Sequence, residues 1–197
     1  MNSINSNNSI SLVNHASIFI ETYGVNILTD PWYFGEAFNK GWSLLHENPP
    51  SDIKEILNKV THIYISHEHP DHFSIPFFKK YCSSLINNEI EIIFQETTDK
   101  RVINFLKSLG LKTIEVPNNK WIIINKFINI KIFSVGSIDS TILIETPENY
   151  FINTNDCELS ILDGIKIKKS LSKNKKVILF HQFSYAAWRA NTKWMKK

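Results

Sequence analysis

Short apolar stretches alternate with polar turn residues along most of the chain, and this pattern predicts a protein built from both strands and helices. Three β-rich stretches come first, and Asp30-Pro31 ends the third, because proline removes a backbone donor and restricts the residue before it. The predicted strands cover residues 10–13, 17–21, 25–28, 61–66, 90–94, 112–116, 121–124, 128–133, 140–145, 150–153 and 177–180.

Helical periodicity appears in four places between these strands. It spans residues 75–85, 99–109 and 159–171, and a shorter helix is predicted to begin with Ser51 as its cap. An aromatic-rich loop at residues 32–50 precedes that first helix. Two strand-rich groups, each followed by helices, predict two packed sheets with helices on the outside.

Composition narrows the class of protein. The chain has 197 residues, 43% of them hydrophobic, which predicts a single folded domain over residues 1–197 rather than a disordered chain. Six glycines and seven prolines exclude a collagen-like or low-complexity sequence. With only two cysteines, Cys82 and Cys157, the chain can form neither a disulfide framework nor a four-thiolate zinc site.

The termini and the charge pattern bear on location and partners. The first residues lack the basic start and apolar stretch of a signal peptide, and no stretch approaches the length of a membrane span, so we expect a cytoplasmic protein without membrane contact. The C-terminal stretch from Ser160 is basic, but beyond Trp188-Arg189 and Trp194 it lacks the interleaved aromatic residues of a nucleic-acid site. We therefore expect a small-molecule substrate rather than nucleic acid.

One segment concentrates the candidate chemistry directly after a predicted strand. Three histidines and an aspartate, His67, His69, Asp71 and His72, lie within six positions. Residues two apart in extended chain project to one side, so His67 and His69 can converge, and the turn at Pro70 would direct the other two to a neighbouring point. Imidazole and carboxylate ligands suit zinc above all, with iron or manganese as alternatives, in one or two ions. The competing interpretation is a histidine-rich surface loop without metal.

The sequence His67-Glu-His-Pro-Asp-His72 resembles the H-x-H-x-D-H motif of the metallo-β-lactamase superfamily. This resemblance implies an α/β protein with a four-layer αββα sandwich. It also implies that His67 and His69 hold a first metal, that Asp71 and His72 hold a second, and that Asp156 bridges them. A helix N-cap is the other interpretation of Asp156, because it precedes a predicted helix.

Further motifs resemble one branch of that superfamily. The stretches 14–21 and 27–32 resemble the opening of the branch that contains ascorbate-6-phosphate lactonase. Residues 30–42, together with Asn155-Asp156-Cys157 and the Gln-Phe-Ser-Tyr-Ala sequence from Gln182, are closer to CMP-N-acetylneuraminate hydroxylase-like proteins. Cys157 itself is expected to be a small buried residue rather than a ligand.

The chain also departs from the superfamily pattern. The loop where a third histidine is expected has none, and Asp139 could replace it or be a simple turn residue. His181 is the remaining candidate for the late histidine, so the resemblance implies a C-terminally shortened member, and we expect its dinuclear site to be incompletely occupied. His15 could contact metal or substrate, or be a packed turn histidine. His46 and His62 are expected to be structural or exposed. The aromatic residues of the 32–50 loop are expected to pack over a sheet, with a ligand groove as the alternative; they are Trp32, Phe34, Phe38 and Trp42.

The resemblance and the ligand cluster together favour a metal-dependent hydrolase. A metal-activated water would attack an ester, lactone or phosphodiester of a small metabolite such as a sugar derivative, with Asp71 or Asp156 as the catalytic carboxylate that orients it. An iron-containing protein that modifies sugar nucleotides is the alternative. It would need a redox partner, because the Cys-x-His pairs of a Rieske centre are missing from the sequence. A non-catalytic binding module is the third hypothesis.

Overall fold

The computed structural model describes residues 8–182, which form thirteen strands and four helices. The strands are β1 Ser9–Asn14, β2 Ser17–Thr22, β3 Val25–Thr29, β4 Glu36–Ala37, β5 Trp42–Ser43, β6 His62–Tyr64, β7 Glu91–Gln95, β8 Lys112–Val116, β9 Trp121–Ile123, β10 Asn129–Val135, β11 Asp139–Glu145, β12 Asn149–Asn153 and β13 Lys176–Phe180. The helices are α1 Pro50–Leu57, α2 Ile75–Asn87, α3 Arg101–Ser108 and α4 Ile161–Lys169. The short strands β4 and β5 fall in the stretch predicted as a loop.

The strands form two main sheets. The first has the order β1-β2-β3-β6-β7-β8, antiparallel from β1 to β3 and parallel from β3 to β8. The second has the order β13-β12-β11-β10-β9, and β12 and β13 run parallel. Because β3 and β6 are parallel neighbours, the loops that follow them open side by side at the same edge, where α/β proteins commonly bind ligands.

Three apolar clusters separate four layers. Helices α1 to α3 pack on the first sheet through residues such as Leu57, Phe77 and Leu106. The two sheets face each other across a second cluster that is dominated by β-branched side chains. Helix α4 covers the second sheet through Ile167. This arrangement confirms the predicted αββα sandwich.

The helix ends show how local sequence selects each start. Helix α1 begins at Pro50 without a side-chain cap, so the predicted Ser51 cap is wrong: Pro50 already has the backbone angle of a first helical position. In α4, Ser160 and Asp163 form a capping box, so Asp156 is not that helix's cap. None of the helices within residues 8–182 is long and apolar enough to cross a bilayer.

Candidate metal centre

The histidine cluster lies in the loop that follows β6, at the carboxyl edge of the parallel strands. The backbone N–H groups of His72 and Phe73 both donate to the carbonyl of His69, at 3.0 and 2.7 Å. This tight turn reverses the chain after Pro70 and brings Asp71 and His72 back towards the strand end. Both are buried, whereas His69 is exposed.

His67 and His69 form one pair of potential ligands. His67 Nε2 lies 2.9 Å from His69 Nδ1, and the two rings meet nearly edge-on. Neighbouring ligands of an ion with bonds of about 2.0–2.1 Å are separated by about 2.8–3.4 Å, depending on whether the geometry is octahedral or tetrahedral. The two nitrogens are therefore spaced as ligands of a single cation.

A second group of donor atoms surrounds His72. Its Nε2 lies 3.2 Å from Asp156 Oδ2 and 3.4 Å from Asp71 Oδ2, although 84 residues separate Asp156 from His72. His15 Nε2 lies 3.2 Å from the same oxygen of Asp71. Two sets of side chains can thus place ligand atoms within 4.8 Å of one another: His67 with His72 and Asp156, and His15 with Asp71 and His72.

The polar atoms of this region fit a bound cation. His72 Nδ1 faces the buried carboxylate of Asp30, so its other nitrogen points at two further carboxylates, Asp71 and Asp156. Three carboxylates around one imidazole need positive charge between them. Asp71 Oδ1 is buried and has no hydrogen-bond partner among the described residues, which also leaves it available to a cation. The donor set of imidazoles and carboxylates is one that zinc, iron and manganese accept.

The sequence pattern indicated Asp30 as the end of a strand and as part of the stretches that carry the family resemblance, but not as part of the site. Its fully buried carboxylate accepts hydrogen bonds from the backbone N–H and hydroxyl of Ser66, both at 2.8 Å, and from Asn155 Nδ2, and it lies 3.1 Å from His72 Nδ1. Asp30 thus joins the loops after β3, β6 and β12. Its positive φ of 39° is the local sign of a special position, but this angle is invisible in the sequence.

The pKa shifts favour a neutral His67 but charged forms of His72 and Asp71. Burial, reinforced by the nearby His72, lowers the pKa of His67 to about 4, so its nitrogen lone pair is available at neutral pH. Burial acts downwards on the pKa of His72 too, but hydrogen bonds with Asp156, Asp30 and Asp71 outweigh it and raise this pKa well above its usual value. For Asp71, burial acts upwards, and the hydrogen bonds with His15 and His72 bring the net pKa below its usual range.

Asp139 and His181, the predicted substitutes for missing histidines, lie near the centre in different ways. Asp139 Oδ1 is 3.6 Å from His67 Nδ1, which is the ring nitrogen that faces away from His69. Asp139 therefore faces the Nδ1 atom of His67, whereas the Nε2 atom of His67 forms the pair with His69. His181 Nδ1 bonds to Thr154 Oγ1 at 2.8 Å and lines the same cavity as Asp156 and His15.

That cavity has a volume of about 1560 Å³ and gives access to the centre. Some aromatic residues of the 32–50 loop pack in the core, and others lie in or beside the cavity wall. Trp32 is buried, and Phe34 packs against Tyr81, as predicted. In contrast, Trp42 lines the cavity, and Phe38 stacks edge-on with both Trp42 and His69 at ring distances of 5.2 and 5.8 Å.

Other candidate residues have ordinary structural environments. Cys157 is buried, and burial raises the pKa of its thiol to about 12, which keeps it protonated. His62 is buried in β6 beside Thr61, and His46 is exposed. Within the quoted motif that begins at Gln182, residues 183–186 lie outside the described residues.

Comparisons with known proteins agree with this architecture. The sequence model of the family described as "Beta-lactamase superfamily domain" matches residues 9–160. Cytidine monophosphate-N-acetylneuraminic acid hydroxylase of Xenopus laevis is 34% identical over 155 residues, which are 75% of this chain and 25% of that protein. The Mus musculus enzyme is 36% identical over 153 residues, which are 75% of this chain and 26% of its own length. The chain thus spans about a quarter of these curated relatives.

Solved structures share the fold at low sequence identity. CmlA, a diiron β-hydroxylase from Streptomyces venezuelae, superposes with a TM-score of 0.66 at 15% identity, over 88% of this chain and 34% of that one. A protein from Veillonella parvula described as a possible metal-dependent hydrolase gives a TM-score of 0.60 at 15% identity, over 83% of this chain and 66% of its own. The sandwich, the motif after β6 and the family match together establish that this chain belongs to the metallo-β-lactamase-fold branch of the β-lactamase superfamily.

Proposed function

We propose that this chain is the metal-binding catalytic part of an oxidative enzyme that hydroxylates a sugar nucleotide. The observation that carries the proposal is the cluster of His67, His69, Asp71, His72 and Asp156 at ligand spacing. Both groups of potential ligands around His72 contain two imidazoles and one carboxylate, a donor combination typical of non-haem iron oxygenases. The hydroxylases that are 34% and 36% identical to it over 75% of its length support this choice over zinc hydrolysis.

The reaction needs reagents that the protein must receive from outside. One oxygen atom of dioxygen enters a C–H bond of the substrate, the other leaves as water, and a reductant supplies two electrons and two protons. Iron held by the histidines and carboxylates would supply the redox chemistry. The chain's own residues keep His67 neutral and orient His72 through Asp30, and Trp42 lines the cavity with Phe38 packed against it.

Metal-dependent hydrolysis is the second candidate, and one observation favours it. Neither Cys82 nor Cys157 belongs to a Cys-x-His pair, so the sequence lacks the ligand pairs of a Rieske iron–sulfur cluster. Hydrolysis of an ester, lactone or phosphodiester needs no electrons, and a chain that acts alone could carry it out with Asp71 or Asp156 orienting the attacking water. The oxidative function therefore requires a separate electron donor.

The two candidates are separated by their need for dioxygen. Protein loaded with Fe²⁺ receives cytidine monophosphate-N-acetylneuraminic acid, dioxygen and a chemical reductant, and the product is analysed by mass spectrometry. We expect a substrate-dependent gain of one oxygen atom. A parallel anaerobic sample, with zinc or iron, receives a lactone and a phosphodiester without reductant.

Variants link either activity to the centre. His69→Gln should lower turnover by at least about 100-fold, because losing even an indirect partner of a metal ligand costs about 10–100-fold. His46→Gln alters an exposed histidine outside the cluster and should retain activity. Hydrolysis without dioxygen would replace the proposal by the second candidate. Protein that takes up no metal would point to the non-catalytic binding module.

A further inference from the structure

A histidine from the N-terminal hairpin reaches the centre, outside the six-residue motif. We propose that His15 binds the second cation together with Asp71 and His72, an inference that rests on the metal centre of the proposed function. The resemblance led us to expect a late histidine from the C-terminal part of the chain. In this proposal a histidine from the turn between β1 and β2 takes that place.

The three donor atoms lie within 4.8 Å of one another, and the two separations from Asp71 Oδ2 are those of ligands that share an ion. His15 Nε2 is 3.2 Å from Asp71 Oδ2, and His72 Nε2 is 3.4 Å from the same oxygen. For bonds of about 2.0–2.2 Å, adjacent ligands lie about 2.8–3.1 Å apart around an octahedral ion and about 3.3–3.6 Å apart around a tetrahedral one. The distance of 3.4 Å from His72 lies within the tetrahedral range, and the distance of 3.2 Å from His15 lies between the two ranges. The hairpin therefore already places His15 at ligand distance.

The turn holds the His15 ring in this position. The pairing of β1 with β2 is irregular between Leu12 and Asn14, and Asn14 Oδ1 accepts the backbone N–H of His15 at 2.8 Å. The Asn14 amide in turn donates to Asn48 Oδ1 at 2.6 Å. Buried Trp32 meets the His15 ring edge-on at 5.3 Å. The His15 side chain stays 36% exposed, so these contacts place its backbone and restrict the ring on the side of Trp32.

A histidine that only orients Asp71 by a hydrogen bond would make the same contact, so the test must separate the two roles. Glutamine is suited to this purpose. In His15→Gln the side-chain amide can still donate to Asp71, but it is a weak ligand for zinc or iron. The variant therefore keeps the hydrogen bond and removes the ligand.

Zinc binding by the full chain measures the difference. Equilibrium dialysis against Zn²⁺ with elemental analysis should give two ions per chain for the wild-type protein and one for His15→Gln. Chelator competition should show the second ion bound at least about 100-fold more weakly, more than the loss of an indirect partner causes. The first ion should be unaffected, because His67 and His69 are unchanged. His46→Gln is the matched control, and circular dichroism of the metal-free proteins checks folding.

Two measurements make the result independent of that one variant. The ¹⁵N chemical shift of His15 Nε2 in wild-type protein should change to that of a metal-bound nitrogen when Zn²⁺ is added. The double variant of His15→Gln with Asp71→Asn should bind as many ions as either single variant, because both changes remove the same ion.

Each contrary outcome has a defined meaning. Two ions of wild-type affinity in His15→Gln, or an unchanged nitrogen shift, would overturn the inference and leave His15 a hydrogen-bond partner. Wild-type protein that binds only one ion would overturn it without affecting the proposed function. Protein that binds no ion would overturn both.

Discussion

Replacing Asp30 by asparagine changes one buried atom and tests whether this carboxylate organises the centre. Asparagine tolerates the positive φ at this position and has the same shape, so the backbone is not disturbed. The carboxylate accepts hydrogen bonds from four donors, on Ser66, His72 and Asn155. In Asp30→Asn, an amide NH₂ replaces one oxygen and faces donors in either orientation.

The size of the effect follows from the bonds lost. If the new NH₂ occupies the Oδ2 position, the Ser66 hydroxyl can rotate to accept, but His72 Nδ1–H and the Asn155 amide lose their acceptor. Hydrogen bonds to a charged group contribute about 1.5–3 kcal/mol each, and breaking a buried charged pair costs about 3–5 kcal/mol. We therefore expect the free energy of unfolding of metal-free protein to fall by about 3–5 kcal/mol. Metal affinity should fall by about 10–100-fold, because His72 loses the partner that orients it.

Urea denaturation and Zn²⁺ competition titrations measure these two quantities. Asp52→Asn, at an exposed position in α1, is the matched control and should change the free energy of unfolding by less than about 0.5 kcal/mol. An Asp30→Asn protein with the stability and metal affinity of the control would refute the role assigned to Asp30. Loss of stability with unchanged affinity would restrict Asp30 to holding the loops together.

Two further predictions concern pH and packing. Because the pKa of His72 is raised, a metal ion must displace the proton of this imidazole, so metal affinity should increase with pH up to that pKa. Titration calorimetry in buffers of different ionisation enthalpy should detect the released proton. If no proton is released, His72 is not protonated in the metal-free protein. Phe151→Ala removes a fully buried ring between the two sheets and should lower the free energy of unfolding by about 3–5 kcal/mol in a urea titration. The control, Leu45→Ala at a fully exposed position, should change this free energy little.

Local sequence determined much of the architecture. Strand and helix positions follow from apolar spacing, because each face of an element must be buried against a neighbour. The six-residue motif from His67 to His72 was also enough to predict a metal site, because its four ligand-type side chains are close in sequence and need only one turn to converge. The start of α1 was misplaced because two neighbouring residues, Pro50 and Ser51, both favour a helix start, and their local preferences compete.

The complete centre depended on contacts that no local pattern encodes. Asp30, His15 and Asp156 reach the motif from three separate hairpins and loops, across 42, 56 and 84 residues of sequence to their partners. Their meeting point is set by the parallel pairing of β3 with β6 and by the packing of the two sheets. A sequence can present ligand-type side chains, but only this packing decides which of them share a buried site, and burial together with hydrogen bonds decides which are charged.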